Sequence, residues 1–454
     1  MASLRFFQLS TLLLLSLSMS IHAKKDAVVK MHGAVGDGTT YDTKAIQAAI
    51  DDSASGGGGY VVFPPGNYLT GTVYLKTGVF LVLQAGAKIL AGTKVEDYPA
   101  DSSKWYLILA EDAKDVSIGG DGEIDGQGLE FIQQANPIKN VMINWSGKGG
   151  CTGDICRPRL IGFKNCENVL YSKIKLTNSP STALHFVKTS NITVADMSIS
   201  ADFNSPDTVG IDLEDSSHVV ITRSHIDTAG DGIAIKSITA PAVDIVGTQT
   251  TIRTKSTAIK IGDASFFDFD QILFVDMTII DAHRGVAMQV RDGGRITNAT
   301  FTNMNVKTKY YDPSWVGRAE PIYVSACPRT PTSKPGSIDY VIFYNWQMES
   351  ENGIVLSGAN GGLVHTLKLV RHTMKYNPKG NVPDGFLDYG PGCRGLVPHK
   401  TSGVFMENAD FVELEDFDIV TPNEQVATTP LDYNPENVAK VLKIRFKTNG
   451  NIQN

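Results

Sequence analysis

The residues best equipped for chemistry lie between 204 and 237, in "NSPDTVGIDLEDSSHVVITRSHIDTAGDGIAIKS". Three aspartates carry it: Asp207, Asp212 and Asp231, the last framed by Gly230 and Gly232. Two carboxyl groups on one surface can hydrolyse a glycosidic bond. One protonates the leaving oxygen and the other activates water, typically at a separation of roughly 6.5–9.5 Å. Asp207 and Asp231 are 24 residues apart, and Asp212 and Asp231 are 19 apart. Either pair shares a face if the chain winds with a period in the twenties. The competing roles are local: Asp212 capping a turn and Asp207 ending a strand beside Pro206.

Cations follow. Lys236, Lys260, Arg284, Arg291 and Arg318 fall in the next stretch of chain and suit acidic sugar carboxylates, arginine in bidentate fashion. Arg253 and Lys255 read as ordinary solvated charge. Glu320 in "GRAEPIYVS" and Glu351 in "SENGI" are further candidates for lining a cleft. His185 in "STALHFV" reads as a structural histidine. Trp145, Tyr310, Tyr311, Trp315 and Tyr323 offer rings for stacking on sugars or for packing, with "KYYDPSW" as a loop carrying exposed rings and Tyr323 as a packing residue.

The elements that must position these groups are short β-rich runs separated by Gly, Asn, Asp and Ser. "NCENVLYSKIKL", "TSNITVADMSI" and "SSHVVITRSHI" share a polar turn, a β-branched strand, a polar pair and a final aliphatic. Val169, Ile192 and Val219 are equivalent points, giving steps of 23 and 27 residues, and "DQILFVDMTI" and "IDYVIFYNWQM" echo the unit later. Such a period, with several strands per unit, predicts a β-solenoid whose inward aliphatics stack from coil to coil. One stretch has helical spacing, "TYDTKAIQAAIDDSA". There Ala45, Ile46, Ala49 and Ile50 form a stripe, Asp42 is the expected N-cap and "SGGGG" the stop. A helix over 42–52 would cover the open end of the stack.

Composition narrows the class. "MASLRFFQLSTLLLLSLSMSIHA" has the charged start, apolar middle and small-residue end of a secretory leader, so residues 1–23 are expected to be removed, leaving 24–454 as one domain. A secreted monomer in the extracellular space or cell wall follows, with no membrane attachment once the leader is gone. The formal charge of −7, one unit more negative without Arg5, argues against nucleic acid and requires that an acidic ligand meet a local basic groove. Of five cysteines, Cys151, Cys156, Cys166, Cys327 and Cys393, at least one stays unpaired or bridges chains, and Cys151 and Cys156 suit a small loop. Sequons at Asn144, Asn191 and Asn298 fit an outward-facing, glycosylated secreted surface. No metal or cofactor is expected.

From Gly33 to at least Arg291 the chain resembles the polygalacturonase family, glycoside hydrolase family 28. The resemblance is carried by "HGAVGDGTTYDTKAIQAAID", "GGGGYVVFPPGNYLTGTVYLKTGVFLVLQAGAKILAG", "GDGEIDGQG" and "LTNSPSTALHFVKTSNITV". It implies an all-β, single-stranded right-handed parallel β-helix (a pectin-lyase-like solenoid) with an N-terminal capping helix. It also implies inverting hydrolysis of a pectic, galacturonate-containing polysaccharide. The family's four motifs, Asn-Thr-Asp, Asp-Asp, Gly-His-Gly and Arg-Ile-Lys, are incomplete in this divergent member. Asp207-Thr208-Val209 falls on the first, Gly230-Asp231 on the second, Thr257 where the histidine would stand, and "GVAMQVRD", with Arg284 and Arg291 close, on the fourth. Two alternatives remain: a polysaccharide lyase with a cation at Asp268 and Asp270, and a non-catalytic wall-binding β-helix.

Overall fold

The computed structural model describes residues 26–153, 155–359, 363–377, 402–421 and 429–453; the leader and Cys393 fall outside them. The chain winds into a right-handed parallel β-helix. Among the described residues its front sheet holds twelve strands, one per coil, including Arg159–Lys164, Leu184–Val187, Ile211–Glu214, Ile233–Ser237, Thr257–Ser265, Arg284–Gln289 and Ile322–Ala326. Two further ladders close each coil. One runs through Glu167–Ser172, Ser190–Ala195 and Ser217–Thr222, the other through Lys175–Thr177, Ser198–Ser200 and His225–Thr228. Later coils fuse these two into single long strands such as Arg295–Thr308 and Ser337–Ser350.

The repeat expected from sequence is the physical register. Val169 pairs with Ile192 and Ile192 with Val219, and the column continues through Ile245 and Ile272. All are buried. The polar pair in each repeat makes the bend between the two rear ladders. Lys173, Asp196, Arg223, Gln249, Asp276, Asn303 and Asn345 all take positive φ near 50–60° there. Left-handed backbone is disfavoured for side chains with a Cβ, Asn and Asp least so. The strain is offset by bonds between rungs: Arg223 grips Asp196 at 2.7 Å, Asn303 donates to Asp276 at 2.9 Å and Asn345 to Asn303 at 2.8 Å.

Helix Thr43–Ser55 packs Ile46, Ala49 and Ile50 against the first coil, as the apolar stripe predicts. Asp42 does not cap it. Its carboxylate instead accepts from the Val35 and Gly36 amides at 2.7 and 3.0 Å, tying the incoming loop to the helix start. Cys151 and Cys156 are bonded, Cys327 is disulfide-bonded, and Cys166 is free and buried. The three sequon asparagines are exposed. Among the described residues no helix is long and apolar enough to cross a membrane.

Inside, phenylalanines stack directly over one another, with Phe274–Phe301 and Phe301–Phe343 centroids 5.5 and 5.4 Å apart. Removing the middle ring opens a cavity between two rungs. Phe301→Ala is expected to cost about 3–5 kcal/mol in urea unfolding, whereas an exposed change such as Tyr340→Ala is expected to stay within about 0.5 kcal/mol.

Candidate active site

Alternation on the front sheet sends Ile211, Leu213, Ile233, Ile235, Ile259 and Ile261 into the core. It turns Asp212, Glu214, Lys236 and Lys260 outward. At the start of these strands a second column runs along the edge of the sheet. Backbone bonds from Gly210 to the Asp231 carbonyl and from Gly232 to the Thr257 carbonyl, both 2.9 Å, stack Val209, Asp231 and Thr257 on consecutive coils. The column extends down through Thr182 and Arg159 and up through Arg284 and Glu320. Glycines beside it are required by close approach. A Cβ on Gly232 would stand 2.7 Å from the Ala258 carbonyl oxygen, and one on Gly230 3.0 Å from the Thr208 backbone.

Asp231 faces outward with its side chain 12% exposed. One oxygen accepts from the Ser256 hydroxyl at 2.6 Å and the Thr257 amide at 3.1 Å, while the other faces the Lys260 ammonium at 3.3 Å. Every one of these partners is a donor. Asp212 lies one rung away, in register with Ala234, three residues further along the strand than Asp231. Its Oδ2 holds Lys236 at 2.6 Å. Burial pushes the Asp212 carboxyl up, but Lys236, His185 and Arg159 outweigh it and hold it below the ordinary carboxylate range. The same pairing raises Lys236 against its own burial. Further up the face, Asp263 gathers Lys260, Arg291 and Arg329.

Other expectations are corrected. Asp207 is not stacked on Asp231. It sits two residues before the column in left-handed backbone at φ 63°, with its carboxylate 3.7 Å from the buried Arg157 guanidinium. The 24-residue spacing misleads because this coil, Val209 to Asp231, is shorter. Arg284 and Glu320 lie in the column but are fully buried, bonded at 3.2 Å, with Arg284 stacked 3.8 Å from the Tyr323 ring centroid. They cannot touch a polysaccharide in this arrangement and instead lock two coils together. Arg318 is half-buried and caps its own loop through Gly317 at 2.6 Å. Lys236, Lys260 and Arg291 are on the outward face, as expected, each paired with an acid.

The rings do not form a sugar platform. Trp145 packs with Tyr98, Trp105 and Phe131, and Trp315 is buried. Lys255 is not solvated either. It is buried near Phe203, Tyr311 and Trp315 and donates to the Ile138 carbonyl at 3.0 Å. Arg253 grips Asp227 at 2.8 Å, and Glu351 accepts from the Tyr310 amide at 2.9 Å. Asp270 bonds Thr297 and Asn298, and Asp268 the Arg295 amide, so both tie rungs together. Sequence reasoning missed a group on the front face: Tyr106, whose hydroxyl meets His185 Nδ1 at 2.7 Å, with Arg159 and Lys164 beside its ring.

By architecture the chain is a right-handed parallel β-helix with a carboxylate held among donors on its open sheet. The sequence profile of Glycosyl hydrolases family 28 matches residues 61–313, and the chain belongs to that family. A second profile, Rhamnogalacturonase A/epimerase, pectate lyase-like, matches residues 28–88. The chain is 33% identical over 219 residues to a probable polygalacturonase of Arabidopsis thaliana, covering 47% of this chain and 43% of that one. It is 28% identical over 305 residues to a probable polygalacturonase of Vitis vinifera, covering 61% and 60%. It thus spans about half the length of these curated relatives. In three dimensions it is similar to the family 28 exopolygalacturonase of Yersinia enterocolitica, with a TM-score of 0.62 and 18% identity over 93% of this chain and 78% of that one.

Two outcomes test this layout. Glu320→Ala, which strands a fully buried guanidinium, is expected to lose about 3–5 kcal/mol of stability, measured by denaturant unfolding. Asp212 has a lowered folded pKa, so its stabilisation is complete above the ordinary value of about 3.9 and disappears as pH falls through the lower folded value. The gap in thermal stability between the parent and Asp212→Asn is therefore expected to hold constant from pH 7 to about 5 and to shrink only below about 4.

Proposed function

We propose that the protein is a glycoside hydrolase that cleaves glycosidic bonds in pectic, galacturonate-containing polysaccharide. The observation that carries this reading is Asp231, retained in the edge column with three donors around its carboxylate on the open face of a family 28 β-helix. In this reading Asp231 takes a proton from water as the water oxygen bonds to the anomeric carbon, with inversion. Asp212 is the second carboxyl and protonates the departing oxygen. Three residues along a strand and one rung across place their Cα atoms about 11 Å apart, from which converging side chains reach the separation used by inverting enzymes. Lys236 disfavours the protonated form of Asp212, so activity is expected to climb as pH falls from 7 toward 4.

The leader sequence and the exposed sequons support a secreted glycoprotein of the extracellular space or cell wall. It would act as a monomer, in one domain spanning 24–454 and without a cofactor. Lys236, Lys260 and Arg291 are proposed to exchange their acidic partners for substrate uronates, with Arg318 at the rim.

A second reading is favoured by the column itself. Val209 and Thr257 flank Asp231 where the family places an aspartate and a histidine, which suits a β-helix that binds wall polysaccharide without cutting it. Reducing-end release from polygalacturonate separates the two. The hydrolase reading expects release by the parent and a fall of at least about 100-fold in Asp231→Asn; binding with no release by the parent establishes the other.

A further inference from the structure

The front face carries a second constellation, three coils from Asp231 in the same column. Tyr106 is 1% exposed and its ring lies across Gly162, where a Cβ would stand 2.5 Å from ring carbon. Its hydroxyl is fixed by His185 Nδ1 at 2.7 Å. Both ends of strand Arg159–Lys164 reach over this ring, the Arg159 guanidinium carbon 5.4 Å and Lys164 Nζ 5.2 Å from its centroid. Burial holds Lys164 below its ordinary value; Glu111 and Asp101 oppose the shift, while Arg159 and Lys104 add to it.

This pair differs from the paired cations higher on the face. Lys236, Lys260, Arg291 and Arg329 each have a carboxylate within 4 Å. Among the described residues Arg159 and Lys164 have none. Glu111, in register with Lys164, is taken by Lys104 at 2.8 Å. Lys164 spends one donor on the Ser103 carbonyl at 2.5 Å. What remains is a guanidinium and an ammonium held on a rigid aromatic seat, with unspent donors and no carboxylate in direct contact, although Glu111 and Asp101 act on Lys164 from further off, on a chain of net charge −7. Two cations so placed favour an anion between them.

We propose that Arg159 and Lys164 form an anchor for a sugar carboxylate, three rungs or about 14 Å from Asp231 along the column. It fixes where an acidic polysaccharide lies on the face. The anchor rests on the pectic-ligand reading but not on catalysis, because a binding protein would use it equally. It selects chain length as well as charge: only an oligomer long enough to reach from Asp231 to Arg159 gains from it.

The test is calorimetric binding to the full chain carrying Asp231→Asn, with hexagalacturonate, digalacturonate and a neutral galactose oligomer as probes. Arg159→Ala is expected to weaken hexagalacturonate binding about tenfold and to flatten its salt dependence. Arg159→Lys, which keeps the charge but not the fork, is expected to lose less, and Lys164→Ala about threefold. Digalacturonate affinity is expected to be unchanged throughout. Equal hexagalacturonate affinity in parent, Arg159→Lys and Lys164→Ala overturns the anchor while leaving the pectic reading in place. Absence of galacturonate binding by the parent, or preference for the neutral oligomer, overturns the pectic reading and the anchor with it.

Discussion

The structure depends on in-register parallel pairing between successive coils. Each rung bonds to the next through backbone amides and carbonyls about 4.8 Å apart, so a residue's neighbours are fixed by its position in the coil and not by its distance along the chain. Val169, Ile192, Val219, Ile245 and Ile272 share one inner column for that reason. Arg159, Thr182, Val209, Asp231, Thr257, Arg284 and Glu320 share one edge column for the same reason. Core and site are two readings of a single register.

That register explains how side chains along the front face can vary without changing its shape. The backbone at 209, 230 and 257 is set by ladder bonds and by the tight approach of Gly230 and Gly232 to neighbouring coils. Side chains there can change while the rungs stay. The face carries a set of ion pairs, Asp212 with Lys236 and Asp231 with Lys260, continued by Asp263 with Arg291 and Arg329. Partly buried pairs of this kind order each other's side chains, and a charged ligand must compete with the partner already present. Arg159 and Lys164 have no carboxylate in direct contact among the described residues, so a ligand there displaces no ion pair.

Much of the fold was legible in the sequence because β-branched columns and polar bends recur where the backbone demands them. "VADMSI" and "VITRSHI" display the left-handed bend as a polar pair, and the stripe in "KAIQAAI" displays the capping helix. The site was less legible. Coil length varies, so spacing alone put Asp207 on the rung of Asp231 when Val209 holds that place. Arg284 and Glu320 look like surface charges in sequence, yet an ion pair can be sealed in if both partners arrive together, as they do at 3.2 Å.

By itself, then, the sequence determined the solenoid, its capping helix and the outward course of Lys236, Lys260 and Arg291. These follow from local periodicity and residue type, which act over one coil. Only the tertiary structure decided which acid each cation meets, that Arg284 and Glu320 face inward, and that Tyr106 seats Arg159 and Lys164 beside His185, 79 residues away in the chain. Those outcomes depend on the register between coils, a property of the stacked backbone that no single repeat contains.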